Sequence, residues 1–502
     1  MAQWKTFASG TVLAMLLGSV AHADVTAAEV WQSWQDMSTS MGQTITGTQK
    51  QSGNALTVTD LTITSETPEA KTEGKLASVT FTELGDGTVA VTMAPEYPVT
   101  ITTKVEGQDP VEIGFVLKQT GLKVIVSGDA AGMTHDFSAE AIGMALDHLS
   151  GTPDGGTGTF TMTVTGTKGS YVTTTGDMRQ VDGEMSSDSL TFDGSFTDPA
   201  NGGTGKVTGS VAAIQASSSS TFPKDVGMAD FAASLKAGLS TSMAISHGKV
   251  DYSFDFKDAT ANGSAKGTSD NGGLALAMNA SQLSYGVLSN GTDITVTSTA
   301  MPFPEVNAKI AELAFKLVMP LARSDTAQDF TFLTKIGGLA VSDEIWGLFD
   351  PAAILPRDPA TLVIDVAGKA KWLVDIFEQD PATTTDTPAV IEGLTINQLQ
   401  LTFAGADING TGDFTFDNSD METYPGMPKP VGQIDAHLMG ISGLIGKAIE
   451  LGLLPEDQEM GARMMLGMFA KADEGVEDSL SSTLEFTDDG LFKANGIQIK
   501  LP

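Results

Sequence analysis

From about residue 55 this chain alternates apolar and polar residues with a period of two, and few folds accommodate so long a run of that pattern. Val79, Phe81 and then Val89, Val91 and Met93 flank Gly85-Asp86-Gly87, the signature of two strands joined by a tight turn. Val99-Ile101-Val105, Val111-Ile113-Phe115-Leu117 and Leu122-Val124-Val126 continue it. So do Phe160-Met162-Val164, Leu190-Phe192, Val250-Tyr252-Phe254-Phe256, Leu274-Leu276-Met278, Leu283-Tyr285-Val287 and Ile294-Val296. Successive strand side chains point to opposite faces, so each run buries one face and wets the other, here mostly with Thr, Ser and Asp. The expected fold is a β-dominated α+β one: an extended, twisted antiparallel β-meander sheet with amphipathic helices covering its apolar face.

Helices punctuate this pattern. Thr26 and Glu29 form a T-x-x-E capping box, followed by Val30, Trp34, Met37 and Met41 at helical spacing. Met228, Phe231, Leu235 and Leu239 mark a second helix. Val306, Ile310, Leu313 and Leu317 mark a third, opened by Pro304 and stopped by Pro320. A short one starts at Ser342 and carries Ile345, Trp346 and Phe349 up to Asp350-Pro351. Residues 441–453 and 456–471 form a helical pair broken at Pro455. Ser217 to Ser220 is the clearest linker, and 380–388 is an expected loop. The expected organisation is 1–23 as signal peptide, 24–216 as helix plus meander, and 221–502 as meander with helices and the C-terminal pair. The strand, Gly-rich turn, strand rhythm of 190–211 returns at 399–416, which raises an internal duplication.

The N-terminus gives an address. Lys5, the apolar run from Thr11 to Val20, and Ala21-His22-Ala23 before Asp24 make a secretory signal peptide with an A-x-A cleavage site. The run falls short of the roughly 20 apolar residues that span a bilayer. The mature chain is therefore expected in the periplasm, starting at Asp24, with no transmembrane segment. Cysteine is absent, so disulfides, thiolate metal ligands and a thiol nucleophile are excluded. With 28 basic and 62 acidic residues the net charge is −34, or −35 once Lys5 is gone. Nucleic acid and anionic headgroups are poor partners for that surface. An outer-membrane barrel needs two aromatic girdles, which 5 Trp and 5 Tyr do not supply.

Motifs for known chemistry are missing. The histidines that survive signal removal, His135, His148, His247 and His437, stand at no metal-ligand spacing and are expected as core or surface residues. Asp407 to Asp413 has a faint calcium-loop look, but Asn418 stands where the bidentate Glu belongs, so a Gly-rich turn is expected. No metal, cofactor or catalytic residue is expected. What remains is apolar: Met460, Met464, Met465, Met468 and Phe469 form a stripe beside Ile441, Leu444 and Ile445. A methionine-rich face suits acyl chains of variable shape; core packing of the helical pair against the sheet is the more ordinary explanation, since amphipathic stripes usually face a core.

Three stretches carry a resemblance. They are Pro302-Phe303-Pro304 through Met319-Pro320-Leu321 to Asp329-Phe330, then Ile345-Trp346-Gly347-Leu348-Phe349-Asp350-Pro351 with Leu355-Pro356-Arg357-Asp358-Pro359-Ala360, and Gly490-Leu491-Phe492-Lys493-Ala494-Asn495-Gly496. Together with the signal peptide and the Trp31/Trp34 helix, they resemble the alphaproteobacterial family catalogued as domain of unknown function 2125. The resemblance implies an architecture similar to AsmA-like envelope proteins, whose extended sheets have been linked to lipid handling; it implies no catalytic residues. Within the second stretch, Trp346 and Phe349 are expected to anchor a short helix on the sheet, Pro351 to stiffen its exit and Arg357 to pair with a carboxylate. The expected function is a non-enzymatic periplasmic protein that binds or transfers a hydrophobic ligand. The alternative is a structural or protein-interaction module of the envelope, and an enzyme of unrecognised type comes third. The partner is thus a lipid or another envelope protein.

Overall fold

A computed structural model describes residues 24–500 apart from 68, 104–109, 153–154, 200–201, 225, 227–229, 376 and 378–387. The signal peptide, Val105, Met228 and nearly all of the 380–388 loop lie outside the described residues. Helix α1 (Ala27–Ser40) starts on the expected capping box: Thr26 Oγ1 accepts from the Glu29 amide, and the Glu29 carboxylate accepts from the Thr26 amide. Three strands follow as a meander, β1 (Gln43–Ser52), β2 (Ala55–Glu66) and β3 (Ala70–Glu83). Alongside β3 lie two shorter strands end to end, β4 (Val89–Met93) and β5 (Glu96–Thr103). Returning along them, β6 (Val111–Thr120) pairs with β5 and β7 (Lys123–Asp129) with β4. A single long strand, β8 (Gly132–Ser150), pairs with both.

The longest strands come next: β9 (Thr157–Thr175), β10 (Met178–Asp198) and β11 (Gly203–Pro223). After the short helix α2 (Phe231–Lys236), the divided arrangement recurs. Strands β12 (Ser240–His247) and β13 (Val250–Lys257) lie along β11. Strands β14 (Asn262–Ser269) and β15 (Asn271–Met278) return along them, and β16 (Gln282–Ser298) pairs with both. The connectivity of β3 to β8 is thus repeated strand for strand in β11 to β16. A plain meander then runs through β17 (Val306–Pro320), β18 (Gln328–Val341), helix α3 (Asp343–Trp346), β19 (Ala360–Trp372), β20 (Ala389–Phe403), β21 (Ala406–Asp417) and β22 (Lys429–Met439). Helices α4 (Ile441–Glu450) and α5 (Glu456–Phe469) precede β23 (Lys471–Ala472), β24 (Ser479–Phe486), β25 (Phe492–Ala494) and β26 (Ile497–Gln498). All strands join one antiparallel sheet.

At one level across this sheet the ladder skips a rung. The pairs Asp60/Ala77, Glu140/Gly166, Asp188/Ala213 and Gly291/Ala311 are missing between otherwise continuous registers. One member of each has positive φ: Asp60 at 54°, Gly166 at 61°, Ala213 at 50° and Gly291 at 63°. An extra residue in a strand moves its apolar set from odd to even numbers. On β9 that set passes from Tyr171 to Val164, Met162 and Phe160.

This crease corrects one expectation. Residues 306–320 form strand β17, not a helix. Val306 and Ile310 lie before the skipped residue Ala311, and Leu313 and Leu317 after it. A period-two strand interrupted by one residue acquires spacings of four, three and four, which imitate a helix. Pairing with β16 on one side and β18 on the other decides the matter.

Two further expectations change. The Ser217–Ser220 run lies inside β11, hydrogen-bonded to β10 and β12, so it is no linker. Asp407 to Asp413 is strand β21 rather than a turn. The helices meet the sheet at separate places: α1 packs on β1, β2 and β3, Trp346 of α3 stacks on Phe403 of β20, α4 touches β21 and α5 touches β24. No helix among the described residues is long and apolar enough to cross a membrane.

The main core lies under α1. Val30 and Trp31 close against Val58, Val79, Phe81, Val89, Val91 and Val126, all at most 3% exposed. Phe81 sits 5.9 Å from the Trp31 ring and 5.2 Å from Trp34. The Ala27 amide donates to Glu83 at 3.0 Å and Val25 to the Gly87 carbonyl at 3.3 Å, tying the start of α1 to the β3–β4 hairpin. Elsewhere hydroxyl pairs such as Thr165–Ser189, Thr208–Ser253 and Ser264–Thr297 bridge neighbouring strands at 2.8–2.9 Å, which is where the Thr and Ser content goes.

Candidate functional site

A cleft of about 560 Å³ opens between the C-terminal half of α1 and the sheet. Its size falls within the usual range for small-molecule sites. Helical spacing brings Ser33, Trp34, Met37, Ser38 and Met41 to its roof. Its floor is one face of five neighbouring strands: His135 and Phe137 of β8, Tyr171 of β9, Val181 and Met185 of β10, Ala216 and Ser218 of β11, and Met243 of β12. Ile45 of β1 and Ile63 of β2, paired with each other, form a side wall. In a flat sheet β1 and β12 would stand about 40 Å apart, at roughly 4.8 Å per strand. Both reach one cleft, so the sheet curls around α1.

The cleft grades from mouth to floor. Met41, Met185 and Met243 are partly exposed, and flexible thioethers at a mouth adapt to different occupants. Below them His135 is 1% exposed and lies flat on Tyr171, with ring centroids 4.3 Å apart. Burial pulls the His135 imidazole down to about 4, against a small upward pull from Asp136. Burial likewise pushes the Tyr171 phenol up to about 12, opposed by the Trp34 side chain. Both are therefore uncharged at neutral pH, and neither His135 nitrogen has a hydrogen-bond partner.

The floor continues along the sheet. A second hollow shares Phe137, Met185 and Ala216 with the cleft and adds Ile245. From register to register, Phe137, Gly169, Met185, Ala216, Ile245, Leu274, Val287 and Phe315 stand opposite one another on successive strands. Two residues along, Met243, Leu276, Tyr285, Leu317, Phe332, Val366 and Ile396 do the same. A line of uncharged side chains thus leaves the cleft and crosses the middle of the sheet, with Lys168 and Glu184 bordering the hollow where it starts.

The residues singled out in the sequence lie elsewhere. Met460, Met464, Met465 and Met468 are 81, 71, 56 and 49% exposed, so their stripe is not core. Helix α5 is held at its C-terminal end, where Phe469 meets Phe492 and its carbonyl accepts from Ser482 and Asn495. Ile441, Leu444 and Ile445 are half-buried on α4, and Leu444 packs against the small core of Trp346, Leu355 and Ala404. None of these eight residues lines the cleft. Replacing Met464 and Met468 together by Asp is expected to leave the fold intact and shift stability by less than about 0.5 kcal/mol, since exposed sites tolerate charge; circular dichroism and a denaturant curve measure it.

The W-x-L-F-D-P run is a structural clasp. Trp346 is buried and stacks on Phe403, whereas Phe349 stays partly exposed against Trp346. Arg357 pairs with Asp350 at 3.3 Å and lies 4.6 Å over the Trp346 ring. Pro351 follows on the surface. Of the histidines outside the cleft, His148 is exposed between Asp147 and Glu112, which both raise its pKa, and His437 meets Asp473 at 3.3 Å. Among the described residues no group of three or more His, Asp or Glu is placed to hold a metal ion.

Residues 193–499 match the model of a family described as an uncharacterized protein conserved in bacteria, DUF2125. The matched span starts inside β10 and includes Ala216, Ser218 and Met243 of the cleft; the roof, His135 and Tyr171 precede it. No curated protein and no solved structure matches the chain.

Proposed function

The chain belongs to this bacterial family, DUF2125, and from that premise we propose that it is a non-enzymatic periplasmic protein that binds and transfers a hydrophobic, lipid-like ligand. The observation that carries this reading is the apolar cleft under α1, continued by an uncharged track over the following strands. A cleft gives an acyl chain a place to leave water, and the apolar side chains that follow it from strand to strand give it a route. The export signal of the first 23 residues supports the periplasmic placement, and the repeated β3–β8 and β11–β16 connectivity supports an internal duplication that lengthened the sheet. The bare methionine stripe of α5 favours the second reading, a protein-interaction module of the envelope.

The test uses delipidated full-length protein and the apolar fluorophore N-phenyl-1-naphthylamine. Ser217 and Ser218 both border the cleft, but alternation along β11 puts the Ser218 side chain on the cleft face beside Gly183 and the Ser217 side chain on the opposite face. Ser218→Trp is expected to weaken probe binding at least tenfold, with Ser217→Trp near wild type. A folded wild-type protein that binds no probe, or equal effects of the two variants, overturns the reading.

A further inference from the structure

Resting on that reading, we infer that the occupant of the cleft is a single-chain lipid with an uncharged hydroxyl head, the hydroxyl seated on His135. Buried polar atoms in folded proteins are almost always paired. Both nitrogens of His135 are buried and unpaired, and the ring lines the cleft. The Tyr171 ring is stacked on one face of the imidazole, and the space that His135 borders is the cleft.

The state of the ring selects the head. Burial keeps the imidazole uncharged at neutral pH, so it offers one N–H donor and one bare nitrogen acceptor. A hydroxyl also donates and accepts, and satisfies either nitrogen. A carboxylate only accepts and carries its charge into an apolar cleft, where an unpaired ion is strongly disfavoured. The basic residue on this face of β10 is Arg179, four residues from Gly183 or about 13 Å along the strand. It is paired with Asp36 at 3.4 Å and does not line the cleft. Above the hydroxyl, Trp34, Met37 and Phe137 supply the walls for a hydrocarbon chain.

The experiment displaces N-phenyl-1-naphthylamine from the full-length protein with three ligands of equal chain length: dodecanol, its methyl ether, and dodecanoate at pH 7.5. The ether is the more apolar but has no proton to donate. Dodecanol is expected to bind about tenfold more tightly than the ether, and dodecanoate more weakly than both. His135→Phe keeps an aromatic ring on Tyr171 and removes both nitrogens; the ratio of alcohol to ether binding, which does not depend on how tightly the variant holds the probe, should fall from about ten to about one. An ether as tight as the alcohol in the wild type, dodecanoate as tight as dodecanol, or an unchanged alcohol-to-ether ratio in His135→Phe overturns the inference. The wild-type comparison decides it should the variant fail to fold. Probe binding without head-group preference sinks only this inference, whereas a wild type that binds no probe sinks the cleft reading as well.

Discussion

Phe81→Ala is expected to lower stability by about 4 kcal/mol, the usual loss for a fully buried phenylalanine whose cavity cannot collapse. The ring is 0% exposed and holds both tryptophans of α1. Its removal takes contacts from the roof helix and the sheet together, so the cleft should loosen with the core. Denaturant unfolding followed by tryptophan fluorescence measures this, because Trp31 and Trp34 report on that junction. A loss below about 1 kcal/mol would mean that α1 does not rest on β3 in solution.

Asp350→Ala should reduce the folding equilibrium constant by roughly a hundredfold, through polar groups left without partners rather than through a void. The Asp350 side chain is wholly buried and accepts from the Ile354 and Leu355 amides at 2.9 Å each, as well as facing Arg357. Alanine strands all three. Burial pushes the Asp350 carboxyl up, but those two amides and the Arg357 guanidinium pull it down by more, so it lies below the ordinary range. The sign of the pH dependence follows. A carboxyl with a folded value below its unfolded one near 3.9 stabilises the protein above that value and ceases to do so as pH falls through the folded value. Wild type and Asp350→Asn should therefore differ at neutral pH and converge in acid. A difference that grows on acidification would contradict the assigned network.

How much of this was legible in the residues depended on the range of the interactions. The α1 start was readable because Thr26 and Glu29 satisfy each other across three residues; that Arg357 pairs with a carboxylate was readable too, but which one, Asp350 seven residues away, was not. Strand β17 was misread because its skipped residue, Ala311, shows its purpose only opposite Gly291. The methionine stripe of α5 was visible as a pattern, but amphipathic spacing says that a face is apolar and not that anything packs on it. The cleft was invisible. Its methionines, Met37, Met41, Met185 and Met243, are scattered over about 200 residues, one or two to an element, and converge only because the sheet curls. A buried imidazole without partners has no signature in sequence at all, since the same His135 on a hairpin edge would be solvated.

The line of missing rungs has a mechanical meaning. Hydrogen bonds stiffen a sheet against bending along a strand, and where a rung is absent on successive strands at one level, that stiffness drops along a whole line. The places where β12 gives way to β13, and β14 to β15, fall at the same level: Gly248 abuts Ala212 and Ala213, and Gly291 abuts Asp270. The surface is scored as card is scored before folding, so a bend at that level meets fewer hydrogen bonds than a bend elsewhere along the strands. Apolar residues on the two sides of the score then face each other across a gutter whose width is set by the angle of the bend, not by the side chains that line it.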